Sequence, residues 1–556
     1  MPAEYATRIT SAADEVLASL LDDAPPATAH REVMRRIKTA AACAHAPHSR
    51  WHRHPDPLRA ASEWLVQLRG LQAASGLFTS GDNVDSPPDS SFTLNDLVIT
   101  RDLLDHAPQP AWAEVSHGLG EIAAQAAGAV VDGGVHTPNH RWEIASALAG
   151  LARITGDERA RERARQWLAE GVDVDEDGVY SERSANYAAY VSNPSLLTLA
   201  AELDRPDLRD IVHRNLHAII DLTDEGEVET VHSRRQDQRE VFVTGPFATQ
   251  WRRFAVGGCS RCAAAAREAE SAARYDPVDA LAQTLLEPEL ATGIPDGVTA
   301  PVDRRFALGL WRQRNADRML TVHGGSDVPH AGRVASGLAC NPTVLRLRHG
   351  SVLLDSLRLS RDFFGLGPFR AQRAQESDGV ITLTEDLSAG YYQPLPEAER
   401  RPDGDYPVEF EGRFAAAMAF SRRASDQVRL QTTMRVRPEA DGVRLEVDFT
   451  GADVPYAVEL AFRPGGQLTG GRDLGGGVVE LVEGVATYRV GADEIVVGPG
   501  NGTGADRPPA YHPGEAYTFL GGTDALTGPR VYVTGRTTSR LVLTIQGRSR
   551  GAGPGR

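Results

Sequence analysis

The sequence predicts a multidomain α+β chain in which a helical N-terminal half is followed by an antiparallel β-sandwich. Three observations carry this prediction. The chain has 556 residues, more than one simple core accommodates. Through residues 1–288 the apolar residues recur at three- and four-residue spacings, broken by short turns. From residue 303 the pattern changes to alternation with β-branched residues and glycine-rich turns.

The helical half is legible element by element. Arg141 to Ile154 sets Trp142, Ala145, Leu148, Ala149 and Ala152 on one stripe of an amphipathic helix. Thr155-Gly156-Asp157 closes that helix and caps the next, which runs from Ala160 to Leu168. Asn193-Pro194-Ser195 opens another, and Asp207 to Leu222 reads the same way. Helical hairpins of this kind close into a ring or stack as a solenoid, and no fixed-period repeat favours the common solenoids.

Residues 289–302 read as a linker, since Pro295 and Pro301 accompany Gly293 and Gly297 there. Residues 303–548 read as the β-sandwich. Arg429–Val436 and Val443–Phe449 alternate, and Arg530–Val533 and Leu541–Ile545 are further strands. The glycine- and arginine-rich residues 549–556 are expected to form a loose tail.

Composition narrows the function. A net charge of −16 argues against nucleic acid as the main partner. An anionic small ligand is still compatible, because a local arginine cluster holds it regardless of global charge. No stretch approaches the length and apolarity of a membrane-spanning helix. Met1 to His30 lacks a basic start followed by an apolar run, so a cytoplasmic location is expected. The cysteines are Cys43, Cys259, Cys262 and Cys340. Cys259 and Cys262 form a single CxxC without a second pair, and they are expected as buried thiols, with no metal and no cofactor.

Three segments carry candidate chemistry. In Thr137-Pro138-Asn139-His140-Arg141-Trp142-Glu143, Asn139 and His140 stand at a helix N-terminus, where free amides and the dipole attract anions. Glu143 follows His140 by one helical turn, which suits orienting the imidazole. The plainer role for Asn139 is to cap the helix. In Asp177-Gly178-Val179-Tyr180-Ser181-Glu182-Arg183-Ser184-Ala185-Asn186-Tyr187, a turn precedes a helix on which Tyr187 and Tyr190 share a face. Tyrosine serves as acid or base when nearby cations lower its pKa, and otherwise packs in a core. In Thr230 to Asp237, Arg234 and Arg235 beside His232 offer guanidinium forks for a carboxylate or sulfate, or else ion pairs on a surface loop.

Taken in order, Ser86-Pro87-Pro88-Asp89-Ser90-Ser91-Phe92, Asn139-His140-x-x-Glu143 and Asp177-Gly178-x-x-x-Glu182-x-Ser184-x-x-Tyr187 resemble the heparinase II/III-like polysaccharide lyases. The resemblance spans roughly residues 85 to 240. It implies an N-terminal (α/α) toroid, a C-terminal antiparallel β-sandwich, and cleavage of an acidic oligosaccharide or polysaccharide by β-elimination. Under it, Asn139 with Arg234 or Arg235 neutralises the uronate carboxylate. His140 is the base or polarises that carboxyl group, and Tyr187 is the acid. Glu143 would orient His140, while Glu182, Tyr190 and His232 would support the site. Tyr391 and Tyr392 would stack on sugar rings. The family's histidine- and aspartate-containing entry to the sandwich corresponds to Ala335–Thr343, which holds neither residue, although His323 and His330 lie upstream. A metal in the sandwich is accordingly not expected. The competing expectations are a glycoside hydrolase using Glu143, Asp177 or Glu182 as paired carboxylates, and a catalytically silent sugar-binding protein.

Overall fold

The structure is a computed structural model that describes residues 2–23, 25, 27–229, 241–324, 342–411, 415–504 and 528–549. Two compact units divide the chain. One holds Met1–Glu229 with Val241–Thr299, and the other Ala300–Arg556.

The first unit is helical. Its helices are α1 (Pro2–Asp23), α2 (His30–His45), α3 (Pro55–Leu71), α4 (Pro87–His106), α5 (Ala113–Asp132), α6 (His140–Thr155) and α7 (Glu158–Ala169). They continue as α8 (Ala185–Tyr187), α9 (Asn193–Glu202), α10 (Asp207–Leu222), α11 (Ala248–Val256), α12 (Ser260–Ala269) and α13 (Pro277–Leu286). Helix α2 packs on α4, α4 on α6, and α6 on α9, while α13 returns to α1, α2 and α4. That return closes the unit as a helical toroid. Polar links tie the closure: Lys38 of α2 pairs with Asp96 of α4 at 2.5 Å and with Asp279 of α13 at 3.5 Å.

Inner and outer helices differ in composition for a physical reason. Helix α7 buries only Ala160, Ala164 and Leu168, a four-residue stripe with charged residues elsewhere. Helix α6 is buried continuously from Trp142 to Ala152. The single apolar stripe expected for α6 is therefore corrected: it lies inside the ring and is covered on all sides. Its small residues make this possible. A Cβ on Gly150 would stand 2.7 Å from Val98 Cγ2 of α4. The turn after α6 follows its sequence, with Gly156 at φ 75° and Asp157 Oδ1 accepting the Arg159 amide at 2.9 Å.

The second unit is a sandwich of a nine-stranded and an eight-stranded sheet. Pairing is antiparallel except where Val478–Glu480 runs parallel to Arg530–Arg536. The alternation seen in the sequence becomes the core. Leu430, Thr432, Met434 and Val436 point inward from one strand and Val443, Leu445 and Val447 from its neighbour, with Met434 opposite Val447. Met434, Val436, Val443, Leu445 and Val447 meet Leu345, Leu357, Val458, Leu460, Val531 and Val533 of the other sheet in one continuous apolar layer. Between Leu286 and Val302 the chain has one 3-10 turn, Pro288–Ala291, and no other regular structure.

Candidate active site

Asn139 occupies the residue before α6, yet it is not a cap. Its backbone is already helical (φ −66°, ψ −28°), whereas a capping side chain needs an extended backbone to fold back on the first turn. The freed amide, only 3% exposed, donates through Nδ2 to the Glu182 carboxylate. Thr137 Oγ1 donates to Asn139 Oδ1 at 3.3 Å. The first and second sequence segments are thus joined by a buried, charge-assisted bond.

The segment that delivers Glu182 is locked into place by a polar network. Gly178 sits at φ 89°, and a Cβ there would stand 2.7 Å from the Arg214 backbone, so only glycine permits the turn against α10. Arg183, next to Glu182, holds the left-handed conformation at φ 52°, a strain that rigid surroundings must maintain. The Ser184 hydroxyl then accepts the Tyr187 amide at 3.2 Å and starts α8.

Helix α8 passes into a π-turn, Ala188–Ser192, before α9. The wide turn leaves one carbonyl without a backbone donor. In the i→i+5 register the Ala189 carbonyl would be bonded by residue 194, which is proline and has no N–H. Gln250 Nε2 of α11 supplies the missing donor at 2.8 Å. Gln250 Oε1 accepts from Asn193 Nδ2 at 3.0 Å, Asn215 Oδ1 accepts from the same nitrogen at 3.0 Å, and the Tyr180 hydroxyl donates to Asn193 Oδ1 at 2.7 Å. A helix opens at Asn193 as the sequence indicates, and the short α8 from Ala185 and the π-turn lead directly into it. Tyr190 is 47% exposed with its ring edge-on to Phe242 at 6.2 Å. Tyr187 is half-buried.

His140, the first residue of α6, is half-buried between two rings set nearly perpendicular to it: His136 at 4.7 Å and Phe92 at 6.4 Å between centroids. The Ser86–Phe92 motif builds this surround. Ser86 caps α4 by accepting the Asp89 amide at 3.2 Å, and Asp89 pairs with Arg31. The Arg31 guanidinium lies 3.7 Å over the face of Phe92. His136 and Arg31 are therefore neighbours of the site that sequence reasoning missed. Arg31 comes from α2 and carries no local signal, whereas His136, four residues before His140, was open to notice.

Glu143 does not orient His140. The hydrogen bonds its carboxylate accepts come from Asn95 Nδ2 at 2.7 Å and Ser195 Oγ at 3.2 Å, inside the ring. Ser146 fixes the direction of that amide by donating to Asn95 Oδ1 at 2.6 Å. Burial (4% exposed) pushes the Glu143 carboxyl up to about 7, more than the Asn95 and Ser195 bonds lower it.

His232, Arg234 and Arg235 fall outside the described residues, as do His330 and the run 335–341. In the second unit Tyr391 is 62% exposed, edge-on to Phe364, and the Tyr392 hydroxyl donates to Glu411 at 3.3 Å. Among the described residues no metal-ligating group includes Asn139, His140 or Glu182; the one such group is His213, His217, Cys259 and Cys262. Nor is any helix among them long and apolar enough to cross a membrane.

A helical toroid followed by an antiparallel β-sandwich is the fold of polysaccharide lyases of known structure. The chain is similar to the crystal structure of heparan sulfate lyase HepC from Pedobacter heparinus, with TM-score 0.50, 12% identity, and coverage of 94% of this chain and 76% of that one. It is similar to the Streptomyces coelicolor A3 chondroitin AC lyase in complex with chondroitin sulphate, with TM-score 0.54, 15% identity, and coverage of 99% and 80%. It is also similar to a Paenibacillus xanthan lyase, with TM-score 0.53, 10% identity, and coverage of 99% of this chain and 57% of that one. No protein-family profile matches the chain, and no curated protein matches it in sequence.

Proposed function

We propose that the chain is a polysaccharide lyase that cleaves a uronic-acid-containing glycan by β-elimination. The observation that carries this reading is the Asn139 amide, withdrawn from capping and held by Glu182 at the mouth of a buried helix. One of its N–H groups is committed to Glu182. The other is assigned to the substrate carboxylate, where a desolvated donor beside the positive end of α6 stabilises enolate-like charge more than it would in water.

In the reaction, a base removes the proton at C5, the electron pair forms the C4–C5 double bond, and the C4–O bond breaks as the leaving oxygen takes a proton. His140 is assigned as the base and Tyr187 as the acid, each in its neutral or protonated form as the step requires. Arg234, Arg235 and His232 are assigned to gripping the anion, and Arg31, over the Phe92 ring that stands edge-on to His140, is a further cation. Glu182 is a positioning residue that sets the Asn139 amide. Tyr190, Tyr391 and Tyr392 are left with binding the glycan.

The hydrolase reading draws on Glu143, whose carboxyl at about 7 has the value of a general acid. Both its oxygens, however, are taken by Asn95 and Ser195 in a buried position, which fits a structural role. Tyr187→Phe tests the lyase reading by keeping the ring and deleting the hydroxyl. Formation of the ultraviolet-absorbing unsaturated uronate should fall by roughly 10²–10⁴-fold with glycan binding retained. Near-wild-type elimination by this variant would remove Tyr187 from the mechanism.

A further inference from the structure

We propose that His213, His217, Cys259 and Cys262 form a structural zinc site that clamps α10 to α12 within the helical unit. The ligand atoms of these four residues all lie within 4.8 Å of one another. Around a tetrahedral zinc with bonds of about 2.0–2.3 Å, neighbouring ligand atoms stand about 3.3–3.8 Å apart. His217 Nε2 and Cys259 Sγ are already at 3.3 Å, so small side-chain rotations close the set.

The elements present the ligands in the way such sites require. His213 and His217 are one turn apart on α10 and face the same side, with ring centroids at 4.4 Å. Cys259 is the residue that starts α12, and Cys262 lies in its first turn, where the helix dipole favours thiolates. The Cys262 amide donates to Cys259 Sγ at 3.5 Å. Cys262 is fully buried, as expected of it, whereas Cys259 is only half-buried because it stands at the open start of the helix. The His213 ring lies parallel to Phe254 at 4.5 Å, which fixes its plane. Its Nε2 is buried and makes no hydrogen bond, an unpaired polar atom of the kind a native interior normally satisfies.

The donor set selects the metal. Two sulfurs and two imidazoles in a near-tetrahedral cluster suit zinc, whereas calcium and magnesium require oxygen ligands. Two thiolates neutralise the divalent charge, so the site is tolerable in a buried place without a carboxylate. All four positions come from protein, leaving none open for substrate or water, which makes the role structural. The elimination assigned above therefore still proceeds without a metal. The location explains its use. After α10 the chain runs through Thr223–Asp224 and Glu227–Val228, continues through residues 230–240, which include Arg234 and Arg235, and returns at Phe242–Val243 toward α11 and α12. A metal bridging α10 and α12 joins the two ends of that excursion.

The test uses the full chain, purified with a thiol reductant and no chelator. Elemental analysis should find one zinc per chain that survives dialysis and is released when the cysteines are mercurated. Replacement by cobalt(II) should produce tetrahedral ligand-field bands together with a thiolate-to-cobalt charge-transfer band, and this needs no variant. Cys259→Ser should weaken the charge-transfer band, and His217→Gln should lower bound zinc well below one per chain. Chelation should lower the melting temperature, restored by zinc and not by magnesium. Zinc far below one per chain with the thiols reduced, cobalt binding without charge transfer, or a Cys259–Cys262 disulfide in the purified chain would each overturn the proposal.

Discussion

Replacing Glu143 by glutamine tests both the energetics of the toroid interior and the choice between lyase and hydrolase. The Glu143 carboxyl is raised from 4.5 to about 7 in the folded chain, chiefly by burial. A group raised in this way contributes stability that is complete below its unfolded pKa and is lost as pH rises through the folded one. Over the window from 4.5 to about 7 the loss amounts to about 3 kcal/mol, at about 1.4 kcal/mol for each tenfold change in proton affinity. Glutamine carries no charge at any pH and escapes that loss. Its oxygen still accepts from Asn95, and its amide donates to the Ser195 hydroxyl, which must turn to accept. The stability difference between variant and wild type should therefore be small near pH 4 and grow to as much as about 3 kcal/mol in favour of the variant by pH 8.

The wild-type curve alone hides this slope. His30, stacked on Phe78 at 4.9 Å, is lowered from 6.5 to about 4, first by burial and then by Arg31. Its contribution is present above 6.5 and lost as pH falls toward 4, opposite in sign to that of Glu143. The two slopes oppose each other in the wild type, and Glu143→Gln exposes that of His30. Denaturant melts of both proteins, followed by the tryptophan fluorescence of the helical unit from pH 4 to 8, measure the difference. A pH-independent difference, or a variant less stable at pH 8, would refute the reasoning by showing that the folded chain favours the ionised carboxylate. In the same variant, elimination within a few-fold of wild type fits the lyase, and abolished turnover fits a hydrolase acid.

Asn193→Ala strips a bond from each of Tyr180, Asn215 and Gln250 at once, and should cost roughly 3 kcal/mol or more at about 1–3 kcal/mol per stranded buried group, read by the same melts. A loss below about 1 kcal/mol would mean that water replaces the network. Asn139→Ala should lower the rate of unsaturated-product formation by about 10²-fold or more. Asn139→Asp should be worse in both rate and stability, because it sets a second carboxylate against Glu182; equal activity of the two variants would show that the amide makes no charged contact in the transition state.

Much of the architecture was legible because it rests on patterns within single segments. A period of two with β-branched residues has one satisfactory outcome, a strand with one face in a core, and Val443, Leu445 and Val447 take it. Gly156 and Asp157 end and begin helices by local backbone chemistry. The toroid's seam was less visible. The stripe on α6 was real but incomplete, since alanine, serine and glycine read as neutral in sequence and become core only when neighbouring helices approach closely enough to cover them.

The site divides along the same line. The sequence by itself determined which residues could do chemistry: an asparagine and histidine opening a helix, a glutamate and tyrosine after a glycine turn, and a pair of cysteines with two residues between them. Only the tertiary structure decided what each one touches. Asn139 was a cap until Glu182, from a distant segment, took its amide; Glu143 was His140's neighbour until burial turned it toward Asn95 and Ser195. Cys259 and Cys262 lacked partners until the folding of α10 beside α12 brought His213 and His217 to them. The physical reason is that propensity and periodicity act between residues a few positions apart. A side chain's hydrogen bonds and ligands, by contrast, are chosen among whatever the closed ring of helices places within about 3 Å of it.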